Sequence, residues 1–113
     1  MDRSEALAIV IPVLEQFFQD NTLDQTVGLW ANFAVDFPQR VESILTAFDV
    51  LADDASLDLR PVLLEHGWIN LFYMVDGEPV IYTPAEHRKW LKQQVIPKLR
   101  QAAQRGTRVQ QDD

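Results

Sequence analysis

Apolar residues recur along most of this chain at the three- and four-residue spacing of a helix, and switch to a strand-like run only once. Leu7, Ile11, Leu14 and Phe18 mark a buried stripe on a first helix from about Ser4, a suitable N-cap, to Gln19. Pro12 removes one internal hydrogen bond and predicts a kink. Asp20-Asn21-Thr22 breaks the pattern, and Thr22 caps a second helix over 23–35 with Val27, Trp30, Phe33 and Ala34 on its apolar face. Gly28 weakens that helix, which predicts close packing against a neighbour in compensation. A third helix follows Asp36 or Phe37 with Pro38 in its first turn. Val41, Ile44, Leu45, Phe48 and Leu51 face inward, and Glu42, Thr46, Asp49 and Asp53 face outward. Ser56 caps a short helix over 57–66 that presents Leu59, Val62 and Leu63. Pro61 makes its start irregular, and Gly67 closes it in the left-handed conformation.

From Trp68 to Met74 the residues become aromatic and branched, which predicts a strand. Asp76-Gly77 is a hairpin turn and Val80-Ile81-Tyr82 the returning strand, an edge because of Pro79. Thr83-Pro84-Ala85-Glu86 combines a cap, a first-turn proline and a capping box, and opens a helix to about residue 104. Its buried stripe is His87 or Trp90, then Leu91, Val95, Leu99 and Ala102. Pro97 bends it and Gly106 ends it. Residues 10–16 and 95–101 echo each other around Pro12 and Pro97, too briefly for a repeat array. The expected architecture is mainly α: a compact bundle of about five helices with a small β-hairpin before the C-terminal helix. Residues 1–106 form one helical domain and 107–113 a polar tail.

The 113 residues suit one domain, and 47% apolar content supplies its core without staples. The absence of cysteine excludes disulfides, thiol catalysis and thiolate metal sites, and fits a reducing compartment. The longest apolar run, Ala6 to Leu14, is far shorter than the roughly 20 residues of a membrane span, and its flank is not basic enough for a secretory signal. A cytoplasmic protein is expected.

Charge changes the picture through its distribution. The net charge is −7. Residues 1–87 hold fifteen acidic against three basic side chains, a net −12, whereas 88–113 hold seven basic against two acidic, a net +5. An acidic body repels nucleic acid and favours encounter with basic partners. It also keeps a small protein soluble. The basic run on the last helix suits pairing with that body better than nucleic-acid contact.

Catalytic chemistry is scarce. His66 and His87 form no His-x-x-x-His or His-x-x-Glu pair and read as helix-boundary or packing histidines. The serines lie in no nucleophile elbow, and the four glycines make no phosphate loop. No enzyme activity, cofactor or metal is expected. The densest charged feature is Asp49, Asp53, Asp54 and Asp58 around one helix–helix turn, either a solvated corner or a surface for a basic partner. Trp68, Phe72 and Tyr73, with Tyr82 opposite, serve either as core or, beside Asp76 and Glu78, as a hot-spot patch. The candidate partner-binding residues are therefore Asp49, Asp53, Asp54, Asp58, Asp76, Glu78, Trp68 and Tyr73.

Several short stretches, in order, resemble a known family. They are Phe17-Phe18-Gln19-Asp20, Asp36-Phe37-Pro38-Gln39, Leu51-Ala52-Asp53-Asp54, Leu63-Leu64-Glu65-His66-Gly67-Trp68, and Trp90-Leu91 on the closing helix. Over about residues 12–100 the chain resembles the small helical immunity proteins of bacterial contact-dependent growth inhibition systems. The resemblance implies a cytoplasmic protein that binds the C-terminal toxin domain of a large surface-displayed effector, often a basic nuclease, and blocks its active site or substrate path. It carries over no binding residue, since each immunity protein matches its own toxin. The other expectations that fit are an acidic helical adaptor or regulatory domain for another basic protein and, with a deep pocket around His66 or His87, an enzyme.

Overall fold

The computed structural model describes the backbone of residues 1–69 and 72–112, and side chains up to residue 105. Its elements are α1 (Arg3–Val13), α2 (Leu23–Asp36), α3 (Pro38–Asp53), α4 (Arg60–Gly67), β1 (Phe72–Val75), β2 (Glu78–Ile81), α5 (Pro84–Trp90) and α6 (Ile96–Asp112). A π-helical turn, Leu14–Phe18, extends α1, and a second, Leu91–Val95, joins α5 to α6 in one rod. The fold is therefore helical, five rods with a hairpin before the last, as the hydrophobic spacing predicts.

The two π turns lie beside the two prolines of the echoed segments. At the second, the Ile96 N–H reaches back five residues to the Leu91 carbonyl. Pro97 has no N–H to continue the ladder and its ring crowds the preceding turn, so one wider turn there relieves the crowding.

Helix α2 packs on α6, and α1 packs on α3. The core joins both pairs. Ala6, Val10, Leu14 and Phe17 enter it from α1 and its π turn, and Ile44, Leu45, Phe48 and Leu51 from α3. Leu91, Val95, Leu99 and Ala102 enter it from the last rod. Leu7 and Ile11, expected at the centre of the first stripe, are only half-buried, because the buried face is rotated toward Ala6, Val10 and Val13. Trp30 is wholly buried, and its Nε1–H donates to the Leu99 carbonyl at 2.8 Å, tying α2 to α6. Phe17 meets Trp30 edge-on at 5.9 Å, Trp30 stacks on Phe33 at 5.3 Å, and Arg40 lies over Phe33. Such ring geometries add to simple burial.

Helix ends follow local chemistry with several departures. Thr83 forms the expected capping box with Glu86, and Thr22, expected only as a cap, forms a second one with Gln25. The first helix is capped by Asp2, which accepts from the Glu5 N–H at 2.8 Å, two residues earlier in the chain than the cap expected at Ser4. Ser56 caps nothing. Its N–H and Oγ–H both donate to Asp54 Oδ1, forming a turn, and α4 starts later at Arg60. That start places Pro61 in the first turn, where its missing N–H costs least.

Gly67 remains in the helix, and Trp68 instead takes the left-handed conformation, at φ 52° and ψ 36°. Glycine at 67 suits a tight site, since a Cβ there would stand 3.1 Å from Ile69 Cδ1 and 3.4 Å from Leu14 Cδ2 and would push the Ile69 side chain aside by a few tenths of an ångström. Gly28 departs in the opposite sense. No atom lies within 4 Å of where its Cβ would be, so no neighbour compensates for it.

The hairpin is antiparallel, with Phe72 opposite Ile81, Tyr73 opposite Val80, Met74 opposite Pro79 and Val75 opposite Glu78. Asp76 and Gly77 have φ of 50° and 81°, the two positive values a tight two-residue turn requires. The first strand begins at Phe72, later than the expected Trp68; Asn70 and Leu71 lie outside the described residues. The final helical backbone passes the end expected at Gly106 and runs to Asp112. The polar tail expected over 107–113 falls on residues whose side chains are outside the described set.

Candidate functional site

The four clustered carboxylates each have an internal partner. Asp49, on the outer face of α3, meets Arg100 Nη2 at 3.4 Å, and Asp53 meets Lys92 Nζ. Asp54 accepts from Arg3 Nε at 2.7 Å and from Ser56. Asp58 accepts three bonds from the Arg60 guanidinium, at 2.6, 2.9 and 3.0 Å, and one from the Arg60 backbone N–H at 3.0 Å. The Arg3 and Ser56 hydrogen bonds hold the Asp54 carboxyl well below the usual carboxylate range, and those from Arg60 lower Asp58 to about 2. Repulsion within the group is thus answered by the fold itself. The basic run supplies two partners, as its pairing with the acidic body predicts. These contacts are exposed and contribute little energy each, but they join α3 to the last rod and the N-terminus to the α3–α4 turn.

The hairpin offers a different surface. Strand alternation places Phe72, Met74, Pro79 and Ile81 on one face. Their side chains are open to solvent: Phe72 is 47% exposed, Met74 58% and Ile81 66%. Tyr73 and Val80 lie on the opposite face and are half-buried, with the Tyr73 ring 4.8 Å from Tyr82. Tyr73, a candidate contact from sequence, thus faces inward, while its neighbours Phe72 and Met74 face out. Both strand faces are apolar, so alternation alone could not tell one from the other. Trp68, 55% exposed, stands on the helix cap before the strand, with Leu64 exposed one turn earlier. Asp76 and Glu78 are exposed at the hairpin turn. Scattered exposed apolar residues are ordinary in a small protein, whereas a contiguous exposed group marks an interaction site.

Between α4, β1 and α5 opens a pocket of about 310 Å3. Trp68, Ile69, Phe72, Tyr82 and Trp90 form its walls, with Phe18 and Leu23 from the first two helices and Asn21 and His87 as polar lining. His87 is buried, its ring 4.9 Å from that of Tyr82. Nothing in the hydropathy pattern pointed to this pocket, because its lining comes from five separate segments. His66 lies elsewhere. It sits in the last turn of α4, where its carbonyl accepts from Gln19 Nε2 at 2.8 Å and its ring stands 3.5 Å from Glu15. The two histidines therefore do not converge.

Among the described residues no group of three or more His, Cys, Asp or Glu side chains is placed to hold a metal ion. No described helix is long and apolar enough to cross a membrane. Comparison with protein-family models, with curated proteins and with solved structures gives no match to this chain.

Proposed function

We propose that this chain is an immunity protein: it binds the toxin domain of a contact-dependent growth inhibition effector in the cytoplasm and neutralises it by covering the active site or the path of its substrate. The single observation that carries a binding role is the exposed apolar face of Phe72, Met74, Pro79 and Ile81, with Trp68 and Leu64 also exposed at the end of the preceding helix. A monomer has no use for such a group at its most exposed strand, and a partner that buries it gains the usual hydrophobic term. The ordered sequence stretches from Phe17 to Leu91 and the acidic body support the kind of partner, a basic protein such as a nuclease domain. The protein works by occupancy, with no chemical step of its own. Hot spots at the hairpin set the lifetime of the complex, and net charge sets the rate of encounter.

Co-expression with a candidate cognate toxin domain tests this reading. Growth should be rescued, and the two proteins should co-purify in equal amounts. Continued killing at full expression of a folded chain would overturn it.

A further inference from the structure

The backbone at Trp68 is left-handed, a conformation that bulky side chains rarely adopt and that glycine takes freely. Gly67, one position earlier, stays helical, so the left-handed position falls on the tryptophan. A large, exposed aromatic therefore occupies a strained cap where a small residue would serve the helix better. Strain of this kind is a starting point for a functional hypothesis. Here it presents the indole at the mouth of the aromatic pocket, whose wall it shares with Phe72 and Trp90. At about 310 Å3 the pocket is at the lower end of small-molecule sites, which run from roughly 300 to 1,000 Å3.

Charge around the pocket is uneven. Asp20 and Asp24 flank the lining residues Asn21 and Leu23, Glu65 stands two residues before Gly67, and Asp76 and Glu78 crown the hairpin. All five are exposed. Apart from Glu65 near His66 at 4.0 Å, none of them meets a basic side chain among the described residues, in contrast to the four paired carboxylates of the α3–α4 turn. Strand geometry puts the hairpin turn about 10–13 Å from the pocket, beyond the screening length of about 8 Å at physiological salt, so Asp20, Asp24 and Glu65 are the nearer part of the rim and Asp76 and Glu78 act mainly at low salt. Arg88 and Lys89 on α5 are the opposing charges next in sequence to the lining residues His87 and Trp90, and the Arg88 guanidinium is turned to the Leu57 carbonyl at 3.4 Å.

We propose that this pocket receives one large apolar side chain from a partner segment flanked by Lys or Arg, with Trp68 as its exposed wall and the unpaired carboxylates as its electrostatic rim. This deepens the immunity reading and rests on it for the partner's identity, though not for the chemistry of the pocket.

The test uses the full chain and two capped peptides, Lys-Arg-Phe-Leu-Arg-Lys and its acidic twin Glu-Asp-Phe-Leu-Asp-Glu, followed by the indole N–H signals of the three tryptophans in nuclear magnetic resonance. The basic peptide should shift the Trp68 and Trp90 signals saturably and leave the core signal of Trp30 in place; the acidic twin should shift none. Trp68→Gly should weaken peptide binding at least tenfold with a melting temperature equal to or above that of the parent, because glycine removes the strain. Trp68→Asn, which also tolerates this conformation, serves as the second variant. No saturable shift, equal shifts from both peptides, or full binding by a folded Trp68→Gly variant would overturn the proposal. Full growth rescue by Trp68→Gly would overturn the pocket's role while leaving the immunity reading intact. Peptide binding without any rescue would do the reverse.

Discussion

Two donors share the Phe17 carbonyl at the end of the first π turn: Thr26 Oγ1 at 2.7 Å and Asn21 Nδ2 at 3.0 Å. Thr26 is wholly buried, so Thr26→Val keeps the shape and removes one of these bonds. Because Asn21 still satisfies the oxygen, the cost should be about 1 kcal/mol rather than that of a fully orphaned carbonyl; urea denaturation measures it, and Asn21→Ala in the same background should then cost more than it does alone. Gly28→Ala should act in the opposite direction and stabilise by about 1 kcal/mol, since the site is open and the helix gains propensity. A loss on that substitution would reveal a contact that the geometry lacks. Glycine roles were the part of the sequence read least well. Composition and spacing show where a glycine falls, but its reason at 67 is the approach of Leu14 and Ile69, which only the tertiary packing creates. Thr83, by contrast, was legible because its capping box is complete within four residues, and Thr22 was legible as a cap although its box with Gln25 was not.

At the scale of elements, the long amphipathic helices were readable because one face is apolar over several turns, as on α3. The hairpin turn was readable from Asp76-Gly77 alone. The outward face of the hairpin was not, since Phe72, Tyr73, Met74 and Val75 are all apolar in sequence and only the packing of Tyr73 against Tyr82 decides which side faces in. Met74→Thr with Ile81→Thr should therefore leave thermal stability within about 0.5 kcal/mol of the parent, the range of ordinary surface changes. A large destabilisation would place that face in the core. The turn between α3 and α4 makes a pH prediction. Asp54 and Asp58 have folded-state values depressed by Arg3, Ser56 and Arg60. The unfolded chain takes up these protons first, near the ordinary value of about 4. Their contribution is thus complete above that pH and is lost as pH falls through the depressed folded values, to about 2 for Asp58. Melting curves between pH 6 and pH 2 on the parent and Asp58→Asn should converge toward the acid end; parallel curves would contradict the assignment.

For the whole molecule, the acidic excess of the first 87 residues reads differently once the fold is known. The densest carboxylate group, Asp49 to Asp58, is drawn into pairs with Arg3, Arg60, Lys92 and Arg100. The exposed acids around the hairpin and pocket are left to meet a partner. Reversing Asp49 and Asp53 should slow association only modestly, whereas reversing Asp76 and Glu78 should slow it more and reduce its salt dependence. Stopped-flow association across a salt series would separate the two surfaces. Sequence could place the charges on their elements but not their ion pairs, which span up to 51 positions between Asp49 and Arg100.

On the proposed function, the molecule acts by burying its exposed hairpin face against a basic protein. Titration calorimetry of the purified chain against a candidate cognate toxin domain, repeated with Met74→Thr and Ile81→Thr together, measures that burial. The expected result is a one-to-one complex with a negative heat-capacity change, at least tenfold weaker in the double variant while its fold is unchanged. An equally tight complex from the double variant, or no complex from the folded parent, would contradict it.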